Sequence, residues 1–409
     1  MSIRRAPRIA EAAPSVKVTA CPKKRRAMID LECYLDNAAT TPMFPDVAQD
    51  CLPFLTERFG NPSSIHRLGI DARRALGEAR ERLARLLGLP PQAVVFTSGG
   101  TESDNMALRG AFASPRLKGD RLIVSAFEHP AVLRTAEALA RQGVRVDRVP
   151  VTRQGIVDVA AFERLLGPDV RMVSCMAMNN ELGTIQPLEE LGRALKRAVP
   201  HAVFHVDAVQ AFGKMAIPWK LAQIDLLSLS AHKAHGPRGA GALIRCRPVP
   251  LEQWIEGGGQ EEGLRSGTEN VFGAAAFSLA AQRTVEQWRA QAGERLRYAE
   301  QWRAELARHP RVTLFRSERA SPYVVHFSMA PLPGETILTH LEQEGLLASA
   351  GSACHTHTPE PSHVLMAAGF AEQDALSSIR LSFSCHNTLA GLPPVLERFR
   401  TAMGKLSAI

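Results

Sequence analysis

The segment Ser228-Leu-Ser-Ala-His-Lys233-Ala-His-Gly-Pro-Arg-Gly-Ala-Gly241 joins an apolar stretch, Asp225–Leu229, to a glycine-rich turn. A lysine at such a junction is expected at the edge of a sheet rather than on a solvated face. Burial or nearby positive charge lowers the pKa of a lysine and allows it to act as a Schiff-base nucleophile. An ordinary surface lysine is the alternative, but the glycines, Ser230 and His232 favour a functional site.

Short apolar segments alternate with helical patterns on both sides of this junction. Helices are predicted at Asp71–Leu87, ahead of the first strand, and between later strands at Pro130–Gln142 and Pro187–Ala198. This alternation is typical of βαβ units and of a mostly parallel sheet that helices cover on both faces. The predicted strands are Ala93–Phe96, Arg121–Ser125, Val144–Val149, Arg171–Ala177, Val203–Asp207, Asp225–Leu229 and Gly241–Cys246.

The pattern changes after the glycine cluster that begins at Gly257. A long amphipathic helix is predicted at Ala274–His309, followed by strands at Val324–Ser328, Leu346–Ala350 and Ser378–Ser382. We interpret this region as a smaller α+β domain. The predicted organisation is a basic, disordered tail at 1–27, a large domain at 42–285, and a small C-terminal domain formed by 28–41 with 286–409.

Composition excludes several classes of protein. Of the 409 residues, 45% are hydrophobic and 22% are charged, which argues against a disordered, collagenous or coiled-coil chain. No apolar run reaches the roughly 18–20 residues that span a bilayer, so we expect no membrane segment. Residues 1–27 hold eight Lys/Arg and one acidic residue, which leaves a net charge of +1 on the rest of the chain. We therefore expect no direct nucleic-acid binding.

The basic segment 1–27 has three interpretations: a disordered tail, an organellar presequence, or an upstream start ahead of a true start at Met28. A secretory signal would need a continuous apolar stretch, which the segment lacks. We favour a tail or a misplaced start over targeting. A cytoplasmic location is the resulting expectation.

The seven cysteines include no Cys-x-x-Cys pair, and their number is odd. A disulfide framework and a structural zinc site are therefore not expected. We expect the protein to work in a reducing compartment. The histidines near Cys354, namely His355, His357 and His363, have no second pair of ligands at zinc-like spacing. We predict no metal site.

Two further motifs end predicted strands. In His205-Val-Asp207-Ala-Val-Gln210, the aspartate suits a partner for a pyridinium nitrogen, and a helix N-cap is the equally open alternative. In Thr97-Ser-Gly-Gly-Thr101, small residues at a strand-to-helix junction leave backbone N–H groups free for a phosphate. Many helices begin this way without a ligand, so this motif supports a phosphate site only in combination with the other motifs.

Taken together and in order, these segments resemble the cysteine desulfurases of the NifS/IscS type, in the class V aminotransferase group of pyridoxal-phosphate enzymes. The similarity runs from about residue 28 to the C-terminus. The matching motifs are Tyr34-Leu-Asp-Asn-Ala-Ala-Thr-Thr-Pro, Phe59-Gly-Asn-Pro-Ser-Ser, Phe96-Thr-Ser-Gly-Gly-Thr-Glu-Ser-Asp-Asn, Glu128-His129, Asn179-Asn-Glu-Leu-Gly, His205-Val-Asp-Ala-Val-Gln, Ser230-Ala-His-Lys, Arg265-Ser-Gly-Thr, Ser349-Ala-Gly-Ser-Ala-Cys354 and Ser378-Ile-Arg380.

The resemblance implies an α/β fold of the aminotransferase type (fold type I), with a mostly parallel seven-stranded sheet in the large domain. It also implies pyridoxal 5'-phosphate held covalently by Lys233, which would move the substrate Cα proton. Asp207 would pair with the ring nitrogen, and His129 would stack on the ring. The other implied cofactor-binding residues are Gln210 at the ring hydroxyl, Gly100, Thr101, Ser230 and His232 at the phosphate and, in a homodimer, the partner subunit's Thr268.

The implied reaction removes sulfur from L-cysteine and releases L-alanine. Asn180 and Arg380 would hold the substrate carboxylate, and Cys354 would attack the sulfur and carry it as a persulfide. The acceptor would be an iron–sulfur scaffold or a thio-modification enzyme. Independently of the resemblance, the small polar residues around Cys354 predict an exposed loop, and cysteine combines nucleophilicity with stable sulfur carriage.

Alternatives remain at this stage. A selenocysteine lyase, another lyase or an aminotransferase would use the same fold, but an aminotransferase needs no loop thiol such as Cys354. A non-catalytic relative would be expected to lack one of Lys233, Asp207 and Cys354. Three departures from the family pattern, Glu262 for arginine, Cys385-His386 for a Gly-Arg pair, and a short C-terminus, leave the sulfur acceptor open.

Overall fold

The computed structural model describes residues 29–351 and 360–407. The expected tail at 1–27 lies outside them, as do Cys354, His355 and His357. The helices in these ranges are α1 (Pro45–Cys51), α2 (Pro53–Thr56), α3 (Arg67–Leu87), α4 (Gly100–Ala113), α5 (Pro130–Arg141), α6 (Val159–Leu165), α7 (Leu188–Ala198), α8 (Val271–Leu306), α9 (Gly334–Gln343), α10 (His363–Ala367), α11 (Glu372–Leu376) and α12 (Leu392–Ser407).

The strands form two sheets in the described part of the chain. Short 3₁₀ turns lie at Pro91–Ala93, Ala231–Lys233 and Glu261–Gly263. The strands are β1 (Val94–Thr97), β2 (Arg121–Ser125), β3 (Arg145–Val149), β4 (Val170–Ser174), β5 (Val203–Asp207), β6 (Leu226–Ser230), β7 (Gly241–Arg245), β8 (Thr313–Leu314), β9 (Val324–Ser328), β10 (Ser349–Ala350) and β11 (Ser378–Ser382).

The seven-stranded sheet has the order β1-β7-β6-β5-β4-β2-β3. Strands β3, β2, β4, β5 and β6 pair in parallel, and β7 runs antiparallel to both β6 and β1. The carboxyl ends of β1 and of the five parallel strands therefore meet at one edge. The prediction of a mostly parallel seven-stranded sheet is confirmed.

Burial on both faces explains why the central strands are almost continuously apolar. Every residue of β5 and β6 is buried. One face packs with residues of α6 and α7, such as Phe162 and Leu191. The other packs with residues of α4 and α5, such as Leu108 and Leu139.

The four-stranded antiparallel sheet has the order β10-β11-β9-β8. Tyr34 and Asp36 form bridges with Leu347 and Ser382, which attaches the segment before α1 to this sheet. Helix α8 serves both regions, because Phe277 joins the core of the large sheet and Trp302 the core of the small one. The proposed division at 42–285 stays a prediction.

The predicted elements agree with the structure to within four residues at each end. The strand predicted at Leu346–Ala350 is shorter in the structure, where only Ser349–Ala350 is extended. Among the described residues, none of the helices combines the length and apolar character needed to cross a membrane.

Candidate active site

The carboxyl edge of the large sheet surrounds a cavity of about 320 Å³, within the range of about 300–1,000 Å³ typical of ligand pockets. Lys233 follows β6, Asp207 ends β5, His129 follows β2 and Asn180 follows β4. Because parallel strands end at the same edge, residues from distant parts of the chain meet there.

Ten of the twelve predicted site residues line this cavity. Of the remaining two, Cys354 lies outside the described residues, and Thr268 lines a different cavity. The ten are Gly100, Thr101, His129, Asn180, Asp207, Gln210, Ser230, His232, Lys233 and Arg380.

The Lys233 amine is held by backbone carbonyls. Its Nζ donates to the carbonyl oxygens of Ala38 and Ala39, at 2.5 and 2.7 Å. Burial, assisted by the positive charge of Arg380, lowers the pKa of Lys233 to about 8. A substantial neutral fraction is therefore present near physiological pH, which is the form that reacts with a carbonyl group.

Three acids are buried in this region, namely Asp104, Glu128 and Asp207. Burial raises the pKa of Glu128 to about 8 and raises that of Asp104 well above its usual value. Burial also raises the pKa of Asp207, to about 6, but the Val209 N–H and the Lys233 charge counteract it. The Val209 N–H donates to Asp207 Oδ1 at 2.9 Å. The negative charge at neutral pH thus rests on Asp207.

His205, in β5, contacts Asp104 and one serine from each neighbouring strand. Its ring nitrogens form hydrogen bonds with Ser174 Oγ at 2.8 Å and Ser228 Oγ at 2.9 Å. Its Nε2 lies 3.6 Å from Asp104 Oδ1, and burial lowers the pKa of His205 to about 3. A neutral imidazole therefore fills this position.

One end of the cavity has the features of a phosphate site. Helix α4 begins at Gly100, so backbone N–H groups of its first turn point outward. A Cβ on Gly100 would lie 2.7 Å from Val209 Cγ2, so a larger residue does not fit without displacing its neighbour. Thr101, Ser230 and His232 complete this end.

The two histidines of the cavity are both neutral. Burial lowers the pKa of His129 to about 4, as it does that of His232. His129 also caps α5, since its Nδ1 accepts a hydrogen bond from the Ala131 N–H at 3.1 Å. Its ring orientation is therefore fixed by the start of a helix.

Gln210 is held on both sides. Its Nε2 donates to Ala38 O at 2.8 Å, and its Oε1 accepts from Lys214 Nζ at 3.1 Å. Burial lowers the pKa of Lys214 to about 7. Lys214 thus contacts Gln210 itself, and Lys233 contacts the same Ala38 carbonyl oxygen that Gln210 binds.

Arg380, in the middle of β11, reaches the cavity from the small sheet. Its Nη2 donates to Asp36 Oδ1 at 2.9 Å, and its Nη1 donates to the carbonyl oxygen of Asn180 at 3.0 Å. Its Nε is buried and has no hydrogen-bond partner among the described residues. Arg380 also lines the cavity, and a guanidinium held in place by two hydrogen bonds suits an anionic carboxylate.

Hydrogen bonds through Glu102 attach the loop that carries Thr268 to the proposed phosphate end of the cavity. Arg265 Nε donates to Glu102 Oε1 at 2.9 Å, and Glu102 Oε2 accepts from the Ser98 N–H at 2.8 Å. Thr268 lies in a cavity with Ser98 and Gly239, beside the phosphate end rather than inside the site of its own chain.

Without a bound cation, the described cysteines are poorly suited to act as thiolate nucleophiles. Cys33, Cys51, Cys175 and Cys246 are buried, and Cys385 is partly exposed. Burial raises the pKa of Cys51 and of Cys385 to about 11, and it raises those of Cys175 and Cys246 as well.

These observations fit pyridoxal phosphate. Lys233 offers an amine of lowered pKa, Asp207 a buried carboxylate, and the start of α4 a donor-rich end at a glycine whose Cβ position is crowded by Val209. The sequence did not assign roles to Asp36, Asp104 or His205, although all three lie inside the matched motifs. Their importance is visible only from the three-dimensional contacts that they make with residues from distant parts of the chain.

Comparison with known proteins gives a consistent result. The class-V aminotransferase family model matches residues 33–393. The cysteine desulfurase IscS of Clostridium botulinum (strain Hall / ATCC 3502 / NCTC 13319 / Type A) is 39% identical over 371 residues, which cover 90% of this chain and 93% of that protein.

Two solved structures agree with this. One described as a NifS-like protein has a TM-score of 0.85 at 34% identity and covers 92% of this chain and 99% of its own. One described as SspA in complex with cysteine has a TM-score of 0.75 at 32% identity, with coverage of 86% and 98%.

Proposed function

The chain belongs to the class-V aminotransferase family and, within it, to the cysteine desulfurases, and we propose that it converts L-cysteine to L-alanine and a persulfide on Cys354. One observation carries this proposal. Lys233, Asp207 and Arg380 come from separate segments and line one cavity, as the reaction requires.

Pyridoxal phosphate supplies an electron sink that makes the substrate Cα proton acidic. Lys233 is the proposed attachment point and, once released, the group that accepts and returns that proton. Asp207 holds the negative charge that a protonated ring nitrogen needs, while Asp104 and Glu128 stay protonated beside it. His129 is proposed to cover the ring.

The phosphate is proposed to bind at the first turn of α4, with Gly100, Thr101, Ser230 and His232, and Gln210 at the ring hydroxyl. We assign the substrate carboxylate to Arg380 and Asn180. Asp36 fixes the guanidinium in place without occupying all of its donors. The relative solved in complex with cysteine supports an amino-acid substrate of this size.

Cys354 is proposed as the sulfur acceptor. Its thiolate would attack the substrate sulfur, forming an S–S bond as the Cβ–S bond breaks, and the carbon would take a proton and leave as alanine. The raised pKa values of the described cysteines support the choice, because a thiol is a weak nucleophile. An aminotransferase is less well supported, because its reaction needs no loop thiol such as Cys354.

A homodimer with composite sites is the proposed assembly. Large apolar side chains are exposed between α1 and α3, for example Leu55, Phe59 and Ile65. Exposed apolar surface of this kind is typical of protein interfaces. Thr268 would reach the partner's phosphate. We further propose a cytoplasmic enzyme that passes sulfur to an iron–sulfur scaffold or a thio-modification enzyme.

The test is to incubate the purified holoenzyme with L-cysteine and reductant and to measure sulfide and alanine together. Equal yields are expected. Without reductant, peptide mass spectrometry should find one added sulfur, on Cys354. Cys354→Ser should keep the cofactor and the spectral response to L-cysteine but form no persulfide.

Cys246→Ala is the matched control and should retain the persulfide. Sulfur found on Cys385 instead, or sulfide produced by Cys354→Ser at a rate near wild type, would refute the assignment. Alanine without sulfide or persulfide would refute the desulfurase reaction.

A further inference from the structure

A second cluster of reactive side chains lies behind the Lys233 turn. It consists of His235 from that turn and of Cys385 and His386 from the loop that follows β11. One ligand atom from each lies within 4.8 Å of the others. None of these residues has a role in the function proposed above.

The distances suit a tetrahedral cation. Cys385 Sγ lies 3.7 Å from His235 Nε2. With metal–sulfur and metal–nitrogen bonds of about 2.3 and 2.05 Å, two ligands of a tetrahedral zinc lie about 3.6 Å apart. The sulfur and nitrogen are thus already at ligand spacing, and the His386 ring closes the third side, 5.2 Å from the His235 ring between centroids.

The His235 ring is oriented as a metal ligand would be. Its Nδ1 lies 2.9 Å from the Pro42 carbonyl oxygen. A carbonyl only accepts, so Nδ1 carries the proton and the Nε2 lone pair points at Cys385. Metal-binding histidines usually donate their second N–H to a carbonyl or carboxylate in this way.

Two cationic side chains, Arg283 and Arg295, lie near the cluster. The nearby Arg283 is paired with Asp46, and Arg295 donates to the carbonyl oxygen of Asn387 at 2.6 Å. The two cations therefore both have partners of their own.

We propose that His235, Cys385 and His386 form a binding site for a thiophilic cation, with Zn(II) as the test case. A thiolate and two imidazoles are the ligands that zinc prefers, and a fourth position stays open to water. Binding would release the Cys385 proton to solvent. The cation would join the loop after β11 in the small sheet to the turn that carries Lys233.

Packing alone is the competing explanation for the cluster. The His235 ring stacks on Phe44, with centroids 4.5 Å apart and an angle of 19° between planes. Such a cluster would hold together without a cation and would gain no stability from one. Zinc binding and zinc-dependent melting therefore separate the two explanations.

The experiment is a Zn(II) titration of the holoenzyme, with bound zinc counted by mass spectrometry and the melting temperature recorded at each step. One zinc per chain is expected. Cys385→Ser and His386→Gln should each weaken binding by about 100-fold or more, since even outer-shell losses cost about 10–100-fold. Both should lose the zinc-dependent rise in melting temperature.

Cys354→Ser and His201→Gln, which changes an exposed histidine, are the controls and should bind zinc like wild type. The proposal is wrong if Cys385→Ser and His386→Gln bind zinc as tightly as wild type. It is also wrong if zinc binding is lost in Cys354→Ser, or if no stoichiometric zinc binds. The proposed desulfurase reaction is unaffected by any of these outcomes.

Discussion

The two sheets contribute to the same cavity in different ways. The large sheet supplies groups from the turns that follow its parallel strands, such as Asp207, Lys233 and His129. The small sheet supplies Arg380 from the middle of an antiparallel strand. Its position depends on Asp36 and on the Asn180 carbonyl, which come from other segments.

This difference suggests that cofactor binding and chemistry, on one side, and substrate binding, on the other, can be changed separately. Changes at the edge of the large sheet should impair cofactor binding or chemistry. Changes at Arg380 should weaken substrate binding and leave the cofactor in place.

The largest effect is expected for Lys233→Ala. Loss of the amine removes both the covalent attachment and the general base, and base catalysis alone contributes about 10²–10⁴-fold. Turnover should fall by about 10³-fold or more. Borohydride reduction followed by peptide mapping should label Lys233 in wild type and nothing in the variant.

Lys214→Ala is the comparison for this experiment, since Lys214 is the other buried amine near Gln210. It should keep the borohydride label. A label on Lys214 in the wild-type protein would contradict the assignment of Lys233.

The next effect concerns two buried aspartates that differ in charge. Asp207→Asn removes the anion, and loss of a preorganised electrostatic group typically costs about 10²–10³-fold in kcat. Asp104→Asn replaces a side chain that is already protonated, because burial raises its pKa, so activity should change less than about 3-fold. Steady-state kinetics of the two holoenzymes compare them directly. An equal loss of kcat in the two variants would mean that Asp104 is also ionised in the folded protein.

Arg380→Lys should affect the substrate alone. A lysine cannot make the paired, fork-like contacts of a guanidinium, and charged hydrogen bonds contribute about 1.5–3 kcal/mol. The KM for L-cysteine should rise about 10–100-fold, with a smaller change in kcat and an unchanged cofactor content. Arg311→Lys, outside the cavity, is the control. A loss of cofactor in Arg380→Lys would show that the two sheets are not separable.

The sequence predicted the strands and the residues that follow them, because both depend on local patterns. Apolar segments end at polar turns, and those turns converge wherever the sheet is parallel. The Asp36–Arg380 ion pair could not be predicted, since 344 positions separate its members. The His235–Cys385 contact spans 150 positions and has no periodicity to reveal it. Cys354 was assigned from the motif and lies outside the described residues.

The smallest effect is a pH dependence of stability that comes from Glu128. Burial raises the pKa of Glu128 from its ordinary value to about 8, so the folded chain holds this proton where the unfolded chain releases it. The resulting stabilisation is complete below the ordinary pKa and is lost as the pH rises through about 8. Glu128→Gln keeps an acceptor for the Met176 N–H, which donates to Glu128 Oε1 at 2.8 Å, and removes the titration.

The melting temperature of wild type should therefore fall more steeply than that of Glu128→Gln between about pH 6.5 and 8.5. The window begins at about 6.5 because unperturbed histidines titrate near that value, and the buried histidines titrate lower. We expect the two curves to diverge by a few degrees across the window, since the deprotonated carboxylate is the destabilised form. Glu81→Gln, at an exposed position, should follow wild type. Parallel curves for wild type and Glu128→Gln would mean that Glu128 is ionised in the folded chain, and the negative charge could no longer be assigned to Asp207 alone.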